Sequence, residues 1–286
     1  MGLFTKKPKA APEPAYFLSA TNMKTVNYKV YYMSILEKIL YFIIGFAVGA
    51  CVGYLFYGGL AKNDGEPTLA TYVLNVLISG GLGLLAGTKF LPMRTQQIIV
   101  TRKKKLGIQF RDMLEALNTS LGAGKNVRDS FIAVYADLSV QYDEGAYILN
   151  ELQIINAGLG NNVDVEDMLL DFGKRSGIDD IISFANVFKI CYRKGGNIKD
   201  TIRSTHEILS DKMEIREDIE TIITANKNEQ NIMMIMPIAL IGIIKMTSPE
   251  FADNFAKFSG IMSTTAAIVM FVVAYFVGKA VLDIKI

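Results

Sequence analysis

The chain has 286 residues, of which 51% are hydrophobic, with a mean hydropathy of +0.28 and thirty basic residues against twenty-eight acidic ones. That apolar content exceeds what a water-facing surface needs, so an ordinary soluble enzyme is a poor first reading. A net charge of +2 gives no overall excess to hold a polyanion.

In chain order, residues 1–38 carry six lysines and no apolar run of signal-peptide type, and are expected to form a cytoplasmic tail. The runs 39–60, 69–91 and 261–282 are each long enough to cross a hydrocarbon core, which takes about 20 helical residues. A fourth run, "IMMIMPIALIGII" at 232–244, is short and contains Pro237. With Gln230 and Asn231 at one interface and Lys245 snorkelling toward the other, it extends to about 230–246 and reads as a span.

Charge orients these spans, because loops kept in the cytoplasm are enriched in Lys and Arg. Eighteen basic residues lie between 94 and 230, whereas the loops on the other side hold only Lys62, Lys245 and Lys257. Both termini and the block 92–230 are therefore expected to be cytoplasmic in a multi-pass cell-membrane protein, with outer loops near 61–68 and 246–260.

Within the block, apolar residues recur at helical spacing, first at Leu106, Phe110, Met113, Leu117 and Leu121. The pattern continues at Ile181, Phe184, Phe188 and Cys191, then at Ile208, Ile215, Ile219 and Ile222. The expected fold class is all-α: four transmembrane helices and a cytoplasmic antiparallel helical bundle, able to fold as a fragment from about Arg94 to Gln230.

Three segments share one turn grammar: "GAGKNVRDSF" from Gly122, "GNNVDVEDML" from Gly160 and "GGNIKDTIRST" from Gly195. Glycine ends one helix in a left-handed conformation, and Asn126, Asp164 or Asn197 caps the next, with an acid three residues on. Gly122, Gly124, Gly160, Gly195 and Gly196 are accordingly structural. A phosphate loop of the G-x-x-x-x-G-K-[ST] type would need glycine and a hydroxyl residue where Thr119 and Asn126 stand.

Other chemistry is thin. Cys51 and Cys191 read as packing residues, and His206 has no second ligand nearby for a metal. No catalytic residue, metal ligand or cofactor site is expected. The run Arg102, Lys103, Lys104, Lys105 belongs to a block with twenty-one acidic residues, so nucleic acid is not its expected partner. Beside a span, it is a candidate contact for anionic lipid headgroups or an acidic partner.

"FRDMLEALNTSLGAGKNVRDSF", "GNNVDVEDMLLDFGKRSGIDD", "FANVFKICYRKGGNIKDTIRSTHEIL" and the helix feeding "MMIMPIALIGII" together resemble the type II secretion system F domain family. Two spans before one such domain and two after it are similar to the TadB and TadC branch of tight-adherence pilus platforms, TadB in particular. The resemblance implies a non-enzymatic platform protein. Its implied partners are a pilus or secretion assembly ATPase, a paralogous platform protein, pilin subunits and membrane lipids, in a homo- or hetero-oligomer. The chain departs from the family around Arg111, where a proline is common, and in its heavy basic run. A transporter or a sensor component with a helical cytoplasmic domain is the alternative.

Overall fold

The computed structural model describes residues 13–19, 23–60, 66–248, 254–255 and 257–282. Its elements are β1 (Tyr16–Leu18), β2 (Lys24–Val26), α1 (Ile35–Tyr57), α2 (Leu69–Gly122), α3 (Val127–Gln141), α4 (Tyr147–Gly160), α5 (Val165–Ser176), α6 (Asp179–Lys194), α7 (Ile198–Thr247) and α8 (Phe258–Leu282). The chain is nearly all-α, as expected, with one antiparallel hairpin in register Tyr16 to Val26, Phe17 to Thr25 and Leu18 to Lys24.

Two compact units divide the chain: residues up to Tyr32 with Thr95–Met213, and Met33–Arg94 with Glu214–Ile286. The expected division at 38, 91 and 230 differs from this. The segment read as a tail belongs to the first unit because Tyr28, only 1% exposed, is one of its core side chains. A fragment beginning at Arg94 therefore lacks part of its own core.

The first unit is built as the helical spacing dictates. Leu106, Phe110, Met113 and Leu117 lie on one face of α2 and are fully buried. Phe110 meets Phe172 and Phe184 edge-on, with ring centroids 6.1 and 5.5 Å away, and Phe188 stands 5.7 Å beyond Phe184. Each such ring contributes about 1.5–3 kcal/mol by leaving water. On α7 the buried residues are Ile202, Leu209 and Ile223, whereas Ile208, Ile215 and Ile222, which mark the helical spacing in the sequence, are exposed. Two apolar stripes run along that helix, and the unit uses the one shifted by a residue.

In the second unit, glycine decides how α1 meets α2. A methyl group built on Gly49 would lie 2.5 Å from Cβ of Ala86 and 2.8 Å from the carbonyl oxygen of Leu82. Gly45 and Gly53, one turn to either side, are less tight: a methyl group there would lie 3.0 Å from Cα of Gly87 and 3.1 Å from Cα of Ser79. Close backbone approach through small residues is how apolar helices associate where no water drives them together. Beyond this pair, Tyr57 Oη and Thr265 Oγ1 are 3.2 Å apart, and Lys245 Nζ donates to the carbonyl of Phe56 at 3.5 Å.

Among the described residues, four helices are long and apolar enough to cross a membrane: Ile35–Tyr57, Leu69–Gly122, Ile198–Thr247 and Ser259–Gly278. The marginal fourth run is thus the end of a 50-residue helix that passes through Pro237 without a break. Of the expected outer loops, residues 61–65, 249–253 and 256 lie outside the described residues.

Candidate functional site

The turns resolve into bonds. At the end of α2, Gly124 takes φ 85°, its N–H donates to the carbonyl of Leu121 at 3.0 Å, and the N–H of Lys125 reaches that of Ser120 at 3.4 Å. This is a Schellman pattern. Asn126 then caps α3, its Oδ1 accepting from the N–H of Asp129 at 2.8 Å while its Nδ2 donates to the Asp129 carboxylate. At the end of α6 the left-handed residue is Gly195, with φ 70°, and the N–H of Gly196 donates to the carbonyl of Cys191 at 2.8 Å. Asn197 caps α7 through Asp200 in the same way. The amides that a phosphate would need in these turns are spent on helix ends.

The middle turn departs from expectation. Gly160 is the last residue of α4, and the left-handed residue is Asn162, at φ 57°. Its N–H donates to Leu159 and that of Val163 to Gly158, which lets Val163 pack against the core. Asp164 stands at the N-cap of α5 but makes no side-chain cap bond; only its carbonyl accepts, from Asp167 and Met168. A further left-handed glycine, Gly177 at φ 58°, ends α5. The segment "GKRSGIDD" held that signal, since glycine follows two bases and a serine there.

The basic run does not act as one patch. The Arg102 guanidinium lies over the rings of Tyr31 and Tyr147, 5.0 and 5.9 Å from their centroids, and Lys103 donates to the carbonyl of Gly177 at 3.0 Å. Both are half-buried, whereas Lys104 and Lys105 are exposed. Arg193, in the last turn of α6, is held by Glu166 at 3.0 Å, and that hydrogen bond raises its pKa.

Sequence reasoning missed a buried charge network. Arg175 donates through Nη1 and Nη2 to the two oxygens of Glu151 at 2.8 and 2.6 Å, and through Nε to Asp171 at 2.7 Å. Arg175 and Glu151 are 3% and 1% exposed. The N-terminal segment completes the shell: Tyr28 Oη donates to Glu151, Arg175 donates to the carbonyl of Val26 at 3.3 Å, and the Tyr28 N–H donates to the carbonyl of Arg175 at 3.1 Å. Burial, followed by the Glu151 charge, holds the Tyr28 hydroxyl well above the ordinary tyrosine value. Burial works against the charge of Arg175, and the hydrogen bonds and charge of Glu151 outweigh it, so its pKa is raised.

Between α2 and α3 lies a groove of about 310 Å³ lined by Asp112, Glu115, Thr119, Asp137 and Gln141. Asp112 accepts from Arg111 at 2.9 Å and from the hydroxyl of Tyr142. Burial and that bond push the Tyr142 hydroxyl up to about 12. Three carboxylates in one groove repel anions and suit a basic side chain. His206 Nε2 is 3.5 Å from Ser210 Oγ, and no cluster of three or more metal-ligating side chains occurs among the described residues.

No protein-family model, curated protein or solved structure matches the chain.

Proposed function

We propose that this chain is an inner-membrane platform protein of a tight-adherence or type IV-like pilus, or of a type II secretion machine, and that it couples a cytoplasmic assembly ATPase to pilin polymerisation. The observation that carries the reading is the pair of long helices α2 and α7, of 54 and 50 residues, each joining an apolar stretch to a charged one without a break. Such a helix gives a motor acting on its charged stretch an unbroken covalent path to its apolar stretch, where pilins leave the bilayer. The sequence resemblance to the secretion F domain supports the same reading, and TadB is the preferred branch.

The test joins topology to partner. In a chain lacking Cys51 and Cys191, a cysteine replacing Asn254 is expected to react with a membrane-impermeant thiol reagent in intact cells, and one replacing Asp143 only after lysis. The full-length chain in detergent is expected to retain a pilus or secretion assembly ATPase of the same organism and to hydrolyse no nucleotide alone. Reaction at both cysteines in intact cells, or piliation and secretion unchanged when the gene is deleted, overturns the proposal.

A further inference from the structure

We propose that the hairpin of β1 and β2 is a membrane-interface anchor, its outer strand seated among lipid headgroups at the acyl boundary. The two strands are unequally covered. β2 turns inward, since Thr25 is 1% exposed and Val26 packs against the core of the first unit. β1 is exposed throughout, with Tyr16, Phe17 and Leu18 at 51%, 38% and 71%. Met23 and Tyr32, in the same segment, are exposed as well. Apolar side chains exposed singly are ordinary, whereas a run of them in one short segment marks a surface that something covers. The lysines of this segment suggest a tail in water; the fold gives it an apolar outer strand instead.

The bilayer is the cover that fits. Tyr32 precedes Ile35, the first residue of α1, by three positions, which keeps their Cα atoms within about 11 Å. α1 is in turn long and apolar enough to cross a membrane. Hydrogen bonds hold the strand pair to Tyr32: its hydroxyl donates to the carbonyl of Glu13 at 2.6 Å, and Asn27 Nδ2 donates to the Glu13 carboxylate at 3.1 Å. The hairpin therefore stays near the point where the chain enters the bilayer. Its side chains suit that depth. A tyrosine joins an apolar ring to a polar tip, the combination that favours the boundary between lipid and water over either alone. The Lys24 ammonium lies over the Tyr16 ring, 4.0 Å from its centroid, and a lysine stem can bury in that layer while its head stays hydrated. Residues 1–32 hold five lysines and one acid, Glu13, a balance that anionic headgroups attract. A protein cover would have to be brought to this strand, whereas the bilayer is already beside it. The inference needs α1 to cross the membrane and does not need the platform reading.

The experiment uses the full-length chain, with Cys51→Ala and Cys191→Ala as background, in vesicles of about three parts phosphatidylcholine to one part phosphatidylglycerol. A polarity-sensitive fluorophore is attached at Leu18→Cys, at Met23→Cys and, as an exposed apolar control on α3, at Ile132→Cys. Quenching by lipids spin-labelled close to the headgroup is compared with quenching by aqueous iodide. Lipid quenching roughly fivefold stronger at Leu18 and Met23 than at Ile132, with weaker iodide quenching, is expected. Tyr16→Thr with Leu18→Thr keeps strand propensity while removing apolar area, and should cut the lipid quenching at Met23→Cys about threefold. Iodide quenching at Leu18 equal to that at Ile132 would show a strand in water, and shielding of Leu18 from both quenchers would show a protein cover. Either result, or lipid quenching unchanged in the double variant, overturns the anchor.

Discussion

The hydroxyl of Tyr28 donates to Oε1 of Glu151 across 2.8 Å, although 123 positions separate the two residues in the chain. A residue from the N-terminal segment thus closes the shell around a bidentate ion pair between Glu151 and Arg175 that hardly any water reaches. Such a pair is costly to break and modest to replace, because the loss of one partner leaves the other charge buried.

Unequal costs follow for its members. Tyr28→Phe should lower stability by about 1–2 kcal/mol, since Glu151 keeps both guanidinium bonds. Glu151→Ala or Arg175→Ala should each cost about 3–5 kcal/mol, and Glu151→Leu with Arg175→Met should recover most of that loss. Thermal melts of the detergent-solubilised chain measure all four. Equal losses for Tyr28→Phe and Glu151→Ala would sink the ranking.

The two glycines after α6 should behave differently. Gly195→Ala places a side chain at φ 70° and should cost about 1–2 kcal/mol from backbone strain, although nothing lies within 4 Å of the new methyl. Gly196→Ala meets Cys191 Cα at 3.4 Å at an ordinary φ and should be mild. Comparing melting temperatures decides it, with the reverse order as the failing outcome.

In the apolar pair, Gly49→Val should separate α1 from α2, because even its first carbon would sit 2.5 Å from Ala86 Cβ. Gly80→Ala has open space and should be neutral or slightly stabilising, alanine being the better helix former. Limited proteolysis in membranes distinguishes them: faster cleavage in Gly49→Val alone is expected.

Alkaline pH should weaken the first unit through Tyr142. Its hydroxyl titrates near 10 when unfolded and near 12 when folded, so the folded state holds its proton more tightly. The stability it lends is complete below pH 10 and is lost as the pH rises from 10 through 12. Tyr142→Phe has no such proton and should show a shallower fall of melting temperature over that window. An identical slope in both proteins rejects the linkage.

How much of this was legible depended on range. Asn126 and Asn197 were readable as caps because a cap is settled within four residues. The middle turn was not: "GNN" offers three residues able to take positive φ, and Asn162 takes it because Val163 must reach the core. The inward face of α7 was unreadable for a related reason, since Ile202 and Leu209 share a period of seven with Ile208 and Ile215. Apolar spans showed through composition alone. Nothing local announced that Arg175 and Glu151 meet, or that Tyr28 leaves a lysine-bearing segment to join them.

The place of Tyr28 in that core also sets a schedule for synthesis. A ribosome delivers the N-terminal segment, then both helices of the apolar pair, before Glu151 and Arg175 exist. Tyr28 must wait for its partners while more than half the chain is made, and the shell around Glu151 and Arg175 closes only when α5 has emerged. A ribosome stalled short of α5 leaves a nascent chain with its first two apolar helices complete and no means of finishing its polar core, a species for quality control to recognise.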